Sequence, residues 1–85
     1  MPTISMFYGI IIRMYNDDHN PPHFHVKYQE HTAVFDFDGN IIEGRMPKTQ
    51  INLIVAWCTL HKDELIANWE LVKDNQPLYK IDPLR

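Results

Sequence analysis

Phe24-His25-Val26-Lys27-Tyr28, followed after Gln29-Glu30-His31 by Thr32-Ala33-Val34-Phe35-Asp36-Phe37, is the stretch whose reading decides the fold. Both runs alternate with a period of two, as strands with one buried face do. Phe24, Val26 and Tyr28 share one face, and His23, His25 and Lys27 share the other. In the second run Ala33, Phe35 and Phe37 point one way, and Val34 and Asp36 the other. A hairpin loop at Glu30-His31, or one from Gln29 to Thr32, sets Phe24 opposite Phe37, Val26 opposite Phe35 and Tyr28 opposite Ala33. A slip of one residue would bury Asp36 among these side chains, so the numbers of paired residues must sum to an odd value. The same pairing puts His25 opposite Asp36 and His23 opposite Asp38, with Cβ atoms about 5 Å apart. Carboxylates so placed favour imidazolium and raise the histidine pKa.

Working outward, Met6 to Tyr15 reads as a first strand, with Gly9 as a bulge. Asn16-Asp17-Asp18 opens a loop that Pro21 and Pro22 keep extended. Asp38-Gly39 suits a hairpin turn into a fourth strand from Ile41 to Arg45. From Pro47 the period changes. Ile51, Ile54, Cys58, Leu65, Trp69 and Val72 form a helical stripe that Pro77 ends, as one long helix or two divided near His61. Tyr79 to Ile81 suits a short closing strand. The expected fold class is therefore α+β, a four- or five-stranded, mostly antiparallel sheet followed by a long helix or helix pair packed on one face.

The chain of 85 residues has room for a single domain over residues 1–85. With 45% hydrophobic and 12% aromatic residues it has the makings of one core. Eight Lys and Arg oppose eleven Asp and Glu, and the basic residues form no run, which disfavours strong nonspecific binding to nucleic acid. A brief catalytic encounter with RNA needs no such run. Cys58 is the only cysteine, so no internal disulfide forms and a reducing cytoplasmic location is expected. No stretch approaches the ~20 apolar residues of a membrane span.

The chemistry is concentrated between Asp18 and His25, in Asp-His-Asn-Pro-Pro-His-Phe-His. Three readings of this segment stand side by side. His19, His23 and His25 resemble a three-histidine zinc site with an open position, since His23 and His25 project from one strand face. Alternatively, His23 and His25, held by carboxylates such as Asp36, form a general acid–base pair. Cleavage of RNA next to its 2′-OH uses such a pair together with a cation, which Lys27 or Arg13 would supply. In the third reading the segment orders a loop and starts a strand, and the histidines make structural hydrogen bonds. Trp57 and Trp69 read as core anchors and Cys58 as buried filling.

Several motifs together resemble a known family. They are Pro2-Thr3-Ile4, Asp18-His19, Pro21-Pro22-His23-Phe24-His25, Gly44-Arg45-Met46-Pro47, Trp57, Asp63-Glu64-Leu65, Asn68-Trp69 and Ile81-Asp82-Pro83-Leu84. The chain resembles the small bacterial proteins catalogued as domain of unknown function 4160, with Met46 standing where leucine is expected. The resemblance implies a protein often encoded beside a second small protein, in pairs suspected of being toxin–antitoxin systems. This chain would be the toxin-side or partner-binding member, with Asp18, His19, His23 and His25 as its functional residues. No reaction, substrate or metal carries over. The expected function is that of a toxin–antitoxin-like protein acting on RNA through a histidine acid–base pair. The alternative is a noncatalytic partner-binding module whose histidine segment is structural or binds a metal.

Overall fold

A computed structural model describes residues 3–15 and 20–85. Its strands are β1 (Thr3–Phe7), β2 (Ile10–Arg13), β3 (His23–Tyr28), β4 (His31–Asp36) and β5 (Ile41–Gly44), followed by helices α1 (Lys48–Leu60) and α2 (Lys62–Lys73). The strands form one antiparallel sheet in the order β1-β2-β3-β4-β5, a meander in which each strand pairs with its neighbour in sequence. This is the expected α+β arrangement, with five strands and two helices.

Three local expectations are corrected. The segment read as one strand from Met6 to Tyr15 is a hairpin. Tyr8 and Gly9 take φ of +49° and +79° and reverse the chain, the pattern of a tight turn whose twist matches its strands. A tyrosine at positive φ is uncommon, so Gly9 was the only local sign of a turn, and a lone glycine in a strand also reads as a bulge.

The second correction concerns the β3–β4 register. Its pairs are His23↔Asp36, Phe24↔Phe35, His25↔Val34 and Val26↔Ala33, two residues away from the expected pairing. Parity is preserved, so the apolar face is the expected one and Asp36 stays out of the core. The turn sits one residue earlier, at Gln29-Glu30, with Gln29 at φ +53°. Parity follows from burial, whereas a shift of two leaves every side chain on its own face. Only turn chemistry distinguishes the two registers, and neither Gln29 nor Glu30 is a residue that favours positive φ.

The buried sheet face presents Ile10, Ile12, Phe24, Val26, Ala33 and Phe35, and the helices cover it with Ile54, Trp57, Cys58, Leu65, Trp69 and Val72. Aromatic rings dominate the junction. Phe24 lies 5.8 Å from the ring of Phe35 and 5.8 Å, edge-on, from that of Trp57. Phe37 meets Trp69 edge-on at 6.1 Å. Cys58 is buried, its thiol donating to the Phe37 carbonyl, and burial pushes its pKa up to about 11.

The helices are separate. His61 stands between them at φ −119°, and its Nδ1 lies 2.6 Å from Glu64 Oε1. The third correction concerns the segment after α2, which is not the expected closing strand: one backbone bond, from the Ile81 N–H to the Ile4 carbonyl, ties it to β1. It is fixed instead by buried side chains. Trp57 Nε1 donates to the Asp82 carbonyl, and Asn68 both donates to the Tyr79 carbonyl and accepts from its N–H. Among the described residues no helix is long and apolar enough to cross a membrane.

Two substitutions test this packing by chemical denaturation. Phe35→Ala should cost about 3–5 kcal/mol, the usual range for emptying a fully buried aromatic site. Gly44 sits at φ +85° on the edge strand, where an added Cβ would run into the Thr32 carbonyl. Gly44→Ala should therefore destabilise by at least about 1 kcal/mol although the position is exposed.

Candidate functional site: the open face of the sheet

Because the helices cover one face of the sheet, each strand's other side chains form a second face free of helix. The ladders align these side chains in rows across the strands. One row runs Arg13, His25, Val34, Glu43, each directly opposed to the next. A second runs Ile11, Lys27, Thr32. His23 opens a third, opposite Asp36. Neighbouring strands lie about 4.8 Å apart, and same-face residues along a strand are separated by roughly 6.7 Å. Arg13, His25 and Lys27 therefore occupy adjacent places on one surface. They line, with Tyr15, Val34 and Glu43, an open depression of about 340 Å³.

The two histidines are held by different contacts. The His25 ring meets Tyr15 edge-on with centroids 4.3 Å apart and His23 at 5.3 Å. His23 also lies 5.3 Å from the ring of Trp69, which is buried beneath the end of the sheet. His23 Nδ1 is 2.7 Å from the Pro21 carbonyl oxygen. A carbonyl only accepts, so Nδ1 carries the hydrogen and, in the neutral ring, Nε2 carries the lone pair. The Pro-Pro-His sequence thereby sets a tautomer as well as an extended entry to β3. Such a fixed ring suits a general base or a metal ligand equally.

The carboxylates behave differently from expectation. Asp36 is not opposite His25, and its carboxylate is spent on the β4–β5 turn. Oδ1 accepts from the N–H groups of Asp38 and Asn40, each at 2.9 Å, and Oδ2 from Asn40 Nδ2 at 3.1 Å. Desolvation pushes the Asp36 pKa up, but these bonds outweigh it and hold the carboxyl below its ordinary value. Asp38, expected opposite His23, instead pairs with Lys62 across to α2 at 2.7 Å. Asp36 and Asp38 thus serve turn and helix contacts rather than the expected pairings with His25 and His23. A hydrogen-bonding side chain at the end of a strand serves the nearest backbone N–H groups first.

The predicted residues thus divide. His23, His25, Arg13 and Lys27 share the open face, and Asp36 lies at its rim. Asp18 and His19 lie outside the described residues. With them goes the third ligand of the expected zinc site, and among the described residues no group of three or more His, Cys, Asp or Glu could hold a metal ion. Sequence reasoning missed Tyr15 and Glu43. Tyr15 was legible as a same-face neighbour of Arg13, two residues away. Glu43 was not, because Ile41-Ile42-Glu43 gives no alternation from which to choose a face.

These features define a small antiparallel meander, backed by two helices, whose uncovered face carries a histidine pair among cations. The chain belongs to the family described as domain of unknown function 4160, whose model matches residues 9–70. That span includes β2 to β5, all of α1 and most of α2, and hence the row from Arg13 to Glu43. No curated protein and no solved structure matches the chain.

The Asp36 turn makes a pH-dependent prediction. A carboxyl whose folded pKa lies below its ordinary value near 3.8 stabilises the fold fully above that value. The contribution is lost as pH falls through the folded pKa. Asp36→Asn should thus be less stable than the parent at pH 7, and the gap should narrow as unfolding is followed downward from about pH 4. A gap independent of pH would mean that ionisation of Asp36 does not support the turn.

Proposed function

We propose that this protein is the toxin-like member of a two-component pair and cleaves RNA in the cytoplasm with His23 and His25 as its acid–base pair. The observation that carries this reading is the placement of two imidazoles, 5.3 Å apart, on an open face beside Arg13 and Lys27. Neither cation has an ion-pair partner among the described residues. His23, with its lone pair on Nε2, takes the proton of the RNA 2′-OH as the 2′ oxygen bonds to phosphorus. The bond from phosphorus to the 5′ oxygen breaks, and His25 gives its proton to that leaving oxygen. The products are a 2′,3′-cyclic phosphate and a free 5′-OH. Arg13 and Lys27 offset the charge that builds on the phosphoryl oxygens. Asp36 supports the end of the strand that carries His23's neighbours rather than acting on substrate.

A second reading, a noncatalytic module for a small partner protein, draws on β5. This edge strand is exposed along its length, and Ile41 and Ile42 are exposed apolar residues on it. An uncovered edge is a ready site for strand addition by another chain. The two readings part on substitution of different residues. Ile42→Asp should abolish capture of a partner encoded next to the gene and leave RNA chemistry intact.

For the catalytic reading, the purified protein should cut a single-stranded RNA to a product ending in a cyclic phosphate. The same oligonucleotide with deoxyribose at the cut site should be inert. His23→Ala and His25→Ala should each slow cleavage by about 10²–10⁴-fold while remaining folded. Growth inhibition on expression should disappear with them. Unaltered cleavage in both variants, or lost stability with no RNA cut by the parent, would remove this reading.

A further inference from the structure

The row Arg13, His25, Val34, Glu43 changes character in one direction across the sheet, and nothing in the acid–base chemistry explains its far end. It begins with a cation, passes an imidazole, crosses an apolar side chain and finishes at a carboxylate. Each step is one inter-strand spacing of about 4.8 Å, so Glu43 stands about 10 Å from His25, measured along the sheet. Glu43 is exposed and has no salt bridge among the described residues. The depression spanning this row, at about 340 Å³, is at the small end of ligand sites, suited to one compact ligand rather than to an extended chain.

A ligand matching this row needs an anionic end, a flat apolar middle and a far edge that donates hydrogen bonds. A nucleotide laid across the strands has that order. The geometry points to a guanine-selective nucleotide subsite, with the 3′-phosphate at Arg13 and His25, the base over Val34 and the Glu43 carboxylate at its edge. The inference rests on the RNA-cleaving reading above and adds a substrate class to it.

Guanine follows from the chemistry of Glu43. An ionised carboxylate only accepts, through two oxygens side by side. Guanine presents two adjacent N–H donors, at N1 and N2, whereas adenine and cytosine each offer one exocyclic amino group and uracil one ring N–H. The cut would then fall on the 3′ side of guanosine, because the same nucleotide carries the attacking 2′-OH.

The test titrates the protein with the 3′-monophosphates of guanosine, adenosine, cytidine and uridine, following backbone amide resonances. Guanosine 3′-monophosphate should bind about tenfold more tightly than the others, the usual discrimination of one good bidentate pair. The amides of Val34, Glu43 and Gly44 should move most. Glu43→Gln should remove the preference while leaving binding of inorganic phosphate unchanged. Equal affinity for the four nucleotides, no binding of any, or a preference that survives Glu43→Gln would overturn the subsite. The parent reading fails separately. If guanosine 3′-monophosphate binds as expected but no RNA is cut, cleavage is wrong and the subsite stands. If RNA is cut equally after all four bases, in the parent and in Glu43→Gln alike, the subsite is wrong and cleavage stands.

Discussion

Phe24 and Phe35 are directly opposed in the middle of the sheet, nearly parallel and 5.8 Å apart, and neither is accessible to solvent. The rest of the molecule is arranged around this contact. It fixes which face of β3 and β4 turns inward, and alternation then dictates that His23, His25 and Lys27 turn outward. Trp57 meets Phe24 edge-on from the helix layer, so α1 docks where the stack is. The histidine face is thus a consequence of hydrophobic burial on the opposite side of the same strands. A residue that weakened the stack would disturb the site without touching it.

The end of β4 illustrates a second constraint. At its C-terminal end Asp36 closes the turn with both carboxylate oxygens, and Asp38 reaches to Lys62 at the start of α2. The turn is therefore tied to the helix layer as well as to the sheet. The segment after α2 is held by the same logic. Asn68 is buried, and it is tolerable there because its amide bonds both backbone groups of Tyr79. In a chain of this size, whose hydrophobic core is limited, such satisfied polar contacts set geometry where apolar contact cannot.

This division explains what was legible in the sequence. Layer order, the helical stripe and the apolar face of β3 and β4 were readable because burial imposes a period on them. Phe35 and Trp69 were placed in the core on that ground alone, and both are there. The two-residue offset of the register was not readable. Both offsets bury the same side chains, and Gln29-Glu30 carries no turn signal to choose between them. Tyr8-Gly9 failed for the same reason. The choice between one helix and two depends on His61, a residue compatible with either. At the site, facing and neighbourhood of His23, His25, Arg13 and Lys27 were readable from alternation. The employment of Asp36 was not, because a carboxylate at a strand end has both a cross-strand imidazole and a local turn within reach.

That last competition bears on how the face works chemically. A histidine that donates from Nδ1 to a carbonyl is held in one tautomer. His23 makes that contact, through Pro21. With Asp36 and Asp38 committed elsewhere, the carboxylate lining the depression among the described residues is Glu43, two strands from His25 and separated from it by Val34. The Glu43 charge is thereby kept away from the place where a phosphate would lie between Arg13, His25 and Lys27. A carboxylate directly beside the histidines would repel that phosphate. One placed at the far end of the row repels it less and still meets a neutral, donating edge. The employment of Asp36 in the turn, which looks like a loss to the site, directs its charge into turn hydrogen bonds rather than towards the cationic end of the face.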